Sequence, residues 1–253
     1  MDDPEATEVN VTGEHASGRA GPGTSSALLS GTGDTELTPA LRLQILTTEH
    51  WSLLSSRSMS WNEAFSRATM FLSALSGAVV ALALVAQATS FGEGFSTFAI
   101  LVLPVVLFVG ITTFVRLVEI NHEDFNWVAG MNMLRHAYLE AAPELRPYFV
   151  SGWHDDEAGI MATFGARVGP GTFAHQFVTT PGVVAIIDGV LAGVLAGIVV
   201  PRMAVPTTIG LAIAVAVSVA TVGLLAAYQY RGSLRGREPR AVRFPREDER
   251  TRD

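Results

Sequence analysis

The chain has 253 residues, 49% of them hydrophobic, and its formal net charge is −7. It contains no cysteine, which excludes disulfides, thiolate catalysis and cysteine-ligated metals, and its acidic balance argues against nucleic acid as a partner. Charge is nearly absent from four segments of the chain, and each is about as long as a helix that crosses the hydrocarbon layer of a bilayer. The sequence therefore predicts an all-α, polytopic membrane protein whose first partner is the lipid bilayer.

Residues 1–37 form an acidic segment that contains many Gly, Ser and Thr residues and a single arginine, Arg19. Such a segment buries too little apolar surface to offset its chain entropy, so we expect a disordered N-terminal tail. It has neither the basic start nor the apolar core of a signal peptide.

The next region, residues 38–142, predicts a long helical hairpin. Thr38 and Pro39 suit a helix start, and the first helix is expected to run as a cytosolic rod into the membrane segment TM1, residues 68–88. After a short turn, TM2 covers residues 95–115 and continues as a second rod to about residue 142. One predicted apolar stripe lies along the first rod, with spacings typical of one helix face: Leu46, His50, Leu54, Arg57, Trp61, Phe65 and Leu72.

Residues 143–180 predict a cytosolic or interfacial linker, in which residues 153–157 form a polar run expected to face solvent. A second membrane hairpin follows over residues 181–230, with TM3 at 183–200 and TM4 at 207–228. Residues 231–253 carry eight arginines and five acidic residues. Their polar composition predicts a disordered C-terminal tail. The fold class is thus four transmembrane helices in two hairpins, with cytosolic extensions of TM1 and TM2.

Arginines near the membrane segments predict the orientation, because basic residues near such segments stay on the cytoplasmic side. Arg57 and Arg67 precede TM1, Arg116 and Arg135 follow TM2, and several more follow TM4. The TM1–TM2 loop has no basic residue, and the TM3–TM4 loop has only Arg202. We expect a multi-pass protein of the inner (plasma) membrane with both termini in the cytoplasm, where any soluble protein partner would be met.

The register of the first hairpin predicts ion pairs at the inner membrane edge. With the turn centred near residue 91, antiparallel neighbours have numbers that sum to about 183. One turn of offset then gives two crossed pairs, Arg67–Glu119 and Glu63–Arg116. Arg57 falls near Asp124 by the same arithmetic. Exposed pairs of this kind contribute well under about 1 kcal/mol each, so their expected role is to set register.

Asp188 is the candidate intramembrane polar site, because it lies about two turns into TM3 with no intramembrane basic residue opposite. Charged groups at depth are costly and usually face a cavity or a partner. Three interpretations are open. The carboxyl could be satisfied near the inner interface by the helix dipole and headgroup water, it could line a pore or carry protons, or it could contact another subunit.

Gly189, Gly193 and Gly197 form a candidate helix-packing face on TM3, since small residues at every fourth position let helix backbones approach closely. The partner could be TM4, TM1 or another subunit. Assembly into a homo-oligomer is therefore a possible outcome.

No catalytic motif is present, so we expect neither an enzyme nor a cofactor. Glu119, His122, Glu123 and Asn126 share one face of the TM2 extension. A metal site needs three or four converging ligands and no recognised ligand motif occurs, so a solvated charged face is the preferred interpretation and no metal is predicted.

The stretch Thr48-Glu-His-Trp-Ser-Leu-Leu-Ser-Ser-Arg-Ser-Met-Ser-Trp-Asn-Glu63, followed by Phe65-Ser-Arg67 and TM1, resembles uncharacterised actinobacterial membrane proteins of similar length. The resemblance covers residues 41–230, and it implies no known activity. More loosely, a cytosolic helix leading into a tight membrane hairpin is similar to two-helix membrane effector domains of bacterial defence systems, an architectural likeness only.

Three functions are compatible with these patterns. The first is a non-enzymatic oligomeric scaffold or interaction component at the inner membrane. The second is a small channel or pore-forming effector with Asp188 near the conduction path. The third is an enzyme or transporter at the cytoplasmic face, for which motifs are lacking.

Overall fold

The computed structural model of the protein describes residues 37–165, 179–235 and 241–246. Two very long helices come first, α1 at Pro39–Thr89 and α2 at Glu93–Ala141. A short helix follows, α3 at Glu157–Thr163, and then come α4 at Thr180–Val199 and α5 at Thr207–Arg235. Two 3₁₀ turns, Pro143–Tyr148 and Val200–Met203, complete the regular structure of these residues, in which no strand occurs.

Four of the helices, α1, α2, α4 and α5, are long and apolar enough to cross a membrane. The protein is therefore an all-α polytopic membrane protein built from two hairpins. At about 1.5 Å per residue, α1 and α2 are each more than twice as long as the hydrocarbon core of a membrane is thick. Their surplus length projects beyond the bilayer at the end that carries Arg57, Arg116 and Arg135, which we call the charged end.

The turn between α1 and α2 is short because two residues adopt left-handed backbone conformations, Ser90 at φ 48° and Phe91 at φ 58°. The amide of Gly92 donates to the carbonyl of Thr89 at 2.9 Å and closes the turn. The ring of Phe91 packs edge-on against that of Phe95, with 5.4 Å between centroids. The two helices consequently run antiparallel from this turn to the charged end.

The core of the apolar region lies where α1, α2 and α4 meet. Phe71 of α1, Phe114 and Leu103 of α2, and Val184 and Leu191 of α4 belong to one buried cluster. The helix α4 lies between α2 and α5 and packs on both. Most other apolar side chains of α1 and α5 point outward, as expected for helices whose outer faces contact lipid.

Helix ends follow local chemistry. Thr179 caps α4 by accepting from the Gly182 amide at 3.3 Å, and Asp156 caps α3 through the Gly159 amide. Pro143 begins a 3₁₀ turn just after α2 ends, because it lacks the amide that a continuing helix would need.

Two expectations about the polar segments are wrong. Asp155 and Asp156, in the run expected to face solvent, are each only 2% exposed. The tail expected to be disordered continues α5 to Arg235. Residues 241–246 of that tail are also held in place, because the two aspartates bind their backbone amides. The expected N-terminal tail, up to residue 36, and residues 166–178 of the linker lie outside the described residues.

Candidate functional site

Asp188 lies on α4 and is fully buried, with 0% of its surface exposed. Neither carboxyl oxygen has a hydrogen-bond partner among the described residues. Its burial and its lack of a hydrogen bond to the described residues place the carboxyl inside the helix bundle, between helices of the same chain.

The carboxyl of Asp188 rests against Gly110 of α2 and Phe71 of α1. A β carbon placed on Gly110 would collide with Oδ1 of Asp188 and would lie 2.8 Å from Cε2 of Phe71. Gly110 is therefore the residue that makes room for the carboxyl. Three transmembrane helices meet at this point around a single polar group.

The depth of the carboxyl follows from helix geometry. Gly110 precedes Arg116 by six residues and Asp188 follows Thr180 by eight, which at 1.5 Å per residue place the site roughly 9–12 Å from the charged end of the apolar region. Unpaired polar groups at such depth are costly, and they are characteristic of functional positions in membrane proteins.

The glycine ladder of α4 packs on α5 of the same chain. A β carbon on Gly189 would collide with Val222, and one on Gly193 would lie 2.9 Å from the carbonyl oxygen of Ala214. At Gly197 the nearest atom, Cβ of Ala214, would be 3.6 Å away, an ordinary contact. The structure thus assigns the ladder to the α4–α5 hairpin, with the closest approach at its two buried glycines.

Arg116 is the centre of the ionic cluster at the charged end of the apolar region. It binds Glu63 through two bonds of 2.9 Å, Glu123 at 2.8 Å and Glu119 at 3.2 Å. The structure therefore contains the Glu63–Arg116 pair of the sequence hypothesis. It does not contain the crossed Arg67–Glu119 pair, because Arg67 lies one helical turn after Glu63 and binds it at 2.8 Å.

Hydrogen bonds from Arg116 and then from Arg67 lower the pKa of Glu63 to about 2. Glu63 lies outside TM1, at its charged end. Its carboxylate therefore stays ionised at any physiological pH, and the α1–α2 register does not respond to ordinary pH changes at this position.

A second inter-helix contact lies farther from the membrane. Arg57 of α1 binds Asp124 of α2 through two bonds, of 2.6 and 3.2 Å, and the indole of Trp61 donates to the same carboxylate at 3.3 Å. Asp124 is only 4% exposed. A buried carboxylate that accepts three hydrogen bonds fixes the register of the two rods at this position.

His50 of α1 stacks on Tyr138 of α2, with ring centroids 5.7 Å apart and planes within 9°. The hydroxyl of Tyr138 donates to the carbonyl of Leu46 at 3.0 Å. Burial, with a smaller contribution from Arg135, lowers the pKa of His50. The contact favours neutral histidine at neutral pH.

The predicted stripe of α1 is only half covered. His50, Arg57 and Trp61 face α2, whereas Leu54 and Phe65 are 40% and 59% exposed. Together with two further exposed residues these form what we call the uncovered flank of α1: Leu43, Trp51, Leu54 and Phe65. All four precede the predicted segment TM1.

His122, part of the charged face predicted on α2, lies beside α5. It lines a cleft of about 600 Å³ together with Glu119, Tyr228, Arg231 and Gly232. A β carbon on Gly232 would lie 2.7 Å from the His122 ring. Within the described ranges, no group of three or more histidine or acidic side chains is arranged to hold a metal ion.

Sequence reasoning missed the polar cluster that joins α2 to the linker. Asn132 of α2 is fully buried, donates to the carbonyl of His154 at 2.8 Å, and accepts from Thr163 at 2.9 Å. The one sequence signal was Asp156, an N-cap residue type three positions before Gly159 and followed by apolar Ile160 and Met161.

No protein family, no curated protein and no solved structure matches this chain.

Proposed function

We propose that the protein is an oligomeric, non-enzymatic scaffold or interaction component of the inner membrane, with its charged end in the cytoplasm. The observation that carries this proposal is the uncovered flank of α1, where Leu43, Trp51, Leu54 and Phe65 are between 40% and 67% exposed beyond the membrane segment. Several large apolar side chains exposed on one side of a helix in water are typical of an interaction site.

A second copy of this chain is the occupant that the geometry favours. Copies inserted in the same direction carry their flanks at the same height above the bilayer, so the flanks meet without a vertical shift. The apolar stripe of α1 is also wider than the surface that α2 covers, as expected where a helix packs on two neighbouring helices. Exposed small residues on α5, at Ala212, Ala216 and Ala220, offer a further close-packing face within the membrane.

The mass of the protein in detergent tests this proposal. We expect the wild type to be larger than one chain, and Trp51→Ser with Leu54→Ser to lower the assembly mass. Met59→Ser is the matched control, since Met59 is 69% exposed but lies about 80° around the same helix from Trp51 and about 120° or more from the other three flank residues. A monomeric wild type, or equal assembly of all three proteins, would contradict the proposal.

A second candidate, a proton-linked channel or transport step, is favoured by Asp188, whose buried carboxyl accepts no hydrogen bond from any described residue. Proton relays in membrane proteins commonly use buried carboxyls that face the bundle interior. Proton and ion flux in liposomes would compare wild type with Asp188→Asn, which keeps the side-chain shape. Flux that is present in the wild type and lost in the variant would support conduction, and absence of flux from the assembled wild type would exclude it.

A further inference from the structure

A C-terminal segment, residues 241–246, packs against the linker and is bound there through its backbone amides. Its sequence is Ala-Val-Arg-Phe-Pro-Arg, and it belongs to no helix. Residues 241–243 are exposed, while Phe244, Pro245 and Arg246 are partly buried. The contact is therefore anchored at the Phe-Pro-Arg end.

Two aspartates bind the backbone of this segment. Oδ2 of Asp155 accepts from the Arg243 amide at 2.9 Å, and Oδ1 accepts from the Phe244 amide at 2.8 Å. Oδ2 of Asp156 accepts from the Arg246 amide at 2.8 Å. Carboxylates that accept from backbone amides make strong, directional bonds. Three of the four residues from 243 to 246 are thus bound through their backbone amides.

The fourth position explains the proline. Pro245 has no amide hydrogen, and it lies between the two residues whose amides Asp155 and Asp156 bind. No backbone donor is therefore left without an acceptor at that position. A proline at position 244 would instead remove a donor that Asp155 uses.

Ring contacts select the aromatic residue. Phe244 stacks on His136 of α2, with centroids 4.2 Å apart and planes within 25°. The carbonyl of Phe244 lies 3.1 Å from Nδ1 of His154. The guanidinium of Arg246 lies 4.0 Å from Asp156, so the site prefers a basic residue after the proline.

The segment lies in a groove formed by His136 of α2 and residues 154–156 of the linker. The walls of this groove are held by hydrogen bonds that do not involve the segment. Asn132 fixes the His154 carbonyl and Thr163, and Thr163 accepts from the Gly152 amide at 3.0 Å. Gly159 packs directly against the His154 carbonyl, with no room for a β carbon. A site built in this way persists when its occupant leaves.

The groove extends beyond its occupant. A cleft of about 460 Å³ adjoins Arg246 and is lined by Arg146, Phe149, Trp153 and Ala162. The guanidinium of Arg146 lies 5.0 Å from the centre of the Trp153 ring. A longer peptide could therefore continue past the position of Arg246.

We propose that this groove is a peptide-recognition site for an extended basic–aromatic–proline–basic segment, and that residues 241–246 are its resident ligand, which competes with the same motif presented by another protein. The proposal does not depend on the assembly of the chain or on Asp188. The tail then acts as an internal competitor that limits access to the site.

Binding of a dye-labelled Ala-Val-Arg-Phe-Pro-Arg peptide to the full chain, followed by fluorescence anisotropy, tests the proposal. Tethered ligands reach effective concentrations in the millimolar range, so binding to wild type should be weak. Phe244→Asp removes the stacked ring and sets a third carboxylate beside the aspartates, which should release the tail and tighten peptide binding about 10–100-fold.

Two controls make the readout specific. The peptide Ala-Val-Arg-Pro-Phe-Arg has the same composition and charge but no amide at the position bound by Asp155, and it should bind at least about tenfold more weakly. Adding Asp155→Asn to the released chain should weaken binding of the native-order peptide to a similar extent. Equal binding of both peptides, or no gain on releasing the tail, would overturn the proposal.

Amide hydrogen exchange of the wild type provides a measurement that needs no variant. The amides of Arg243, Phe244 and Arg246 should exchange slowly, and that of Val242, which no side chain of the groove binds, should exchange fast. Rapid exchange at all four positions would overturn the docking itself. Phe244→Ala serves as the releasing variant if Phe244→Asp does not fold.

Discussion

Among the described residues, the buried aspartate and asparagine side chains divide into four that make hydrogen bonds and one, Asp188, that makes none. Asp124, Asn132, Asp155 and Asp156 are each at most 4% exposed, and each has at least two hydrogen-bond partners. Asp188 is equally buried and has no hydrogen-bond partner in the part of the chain that the structure describes. An unsatisfied buried group costs about 1–3 kcal/mol, so a sequence selected only for stability would have no reason to keep it.

Replacing Asp188 with alanine should therefore stabilise the protein. The variant removes the unpaired carboxyl and leaves only a small cavity, so we expect a net gain of about 1–2 kcal/mol, or roughly 2–8 °C in detergent melting experiments. Asn132→Ala is the matched control, because it breaks satisfied bonds at an equally buried site and should lower the melting temperature. A loss of stability in Asp188→Ala comparable to that of the control would show that the carboxyl is structural.

The stability of the rods should depend on pH through His50. The unfolded chain binds a proton near the ordinary pKa of 6.5, whereas burial in the folded protein lowers the pKa of His50. This contribution to stability is thus complete above pH 6.5 and is lost as the pH falls towards the folded value. Melting temperatures between pH 7.5 and 5 should decline in the wild type and decline less in His50→Gln; identical slopes would assign the decline to other groups.

At the level of elements, the α1–α2 rods are held in register by charge and the α4–α5 hairpin by close backbone contact. Arg116 alone has three carboxylate partners, while Arg67 has one. Partly exposed pairs of this kind contribute little stability individually. Their geometric role is to define which residues of the two rods lie side by side.

Substitutions in the arginine cluster should reflect this difference in partners. Arg116→Gln leaves Glu119 and Glu123 without their cation and Glu63 with Arg67 alone, whereas Arg67→Gln removes a single exposed pair. We expect a clear loss of thermal stability for Arg116→Gln and a shift within about 0.5 kcal/mol for Arg67→Gln. Equal effects of the two substitutions in thermal melts would show that the cluster does not act through Arg116.

The glycine ladder should tolerate alanine only at one end. In Gly193→Ala the new β carbon meets the backbone of Ala214 at 2.9 Å, and forcing the helices apart should cost about 1–3 kcal/mol. In Gly197→Ala the new contact of 3.6 Å is ordinary, so stability should stay level or rise by up to about 1 kcal/mol. Thermal melts of the two single variants test the assignment; similar losses at both positions would contradict the α4–α5 packing.

At the level of the whole molecule, the turns of both membrane hairpins lie at one end and the polar segments lie at the other. Short turns connect helices at one end, around Phe91 and Met203, while rods, linker and C-terminal segment occupy the charged end. If the charged end is cytoplasmic, as we propose, nearly all surface available to soluble partners lies inside the cell. The uncovered flank and the peptide groove are then accessible to the same compartment.

Cysteine labelling tests this orientation cleanly, since the natural chain has no cysteine. A membrane-impermeant maleimide on intact cells should label Met203→Cys, whose site is 73% exposed in the short turn. It should label Ser52→Cys, on the exposed surface of the first rod, only after lysis. The reverse pattern would invert the topology and move both candidate interaction sites outside.

The sequence by itself determined the membrane architecture of this protein. Four uncharged segments of spanning length leave few alternatives. In lipid the backbone must pair its own amide and carbonyl groups, and only helices and closed barrels achieve this. The antiparallel arithmetic of the first hairpin also brought Arg57 to Asp124 and Glu63 to Arg116, since a short turn fixes which residues can face one another. The sequence thus predicted contacts correctly where one short turn determines which residues of two helices lie side by side.

Only the tertiary structure decided what depends on distant parts of the chain. The partner of the glycine ladder, the burial of Asp188 against Gly110 and the docking of residues 241–246 on Asp155 and Asp156 each join segments that no periodicity relates. Residues 153–157 read as a solvated run because their partners lie about 90 positions later in the chain. A polar side chain is exposed or buried according to what reaches it in space, and composition alone does not contain that information.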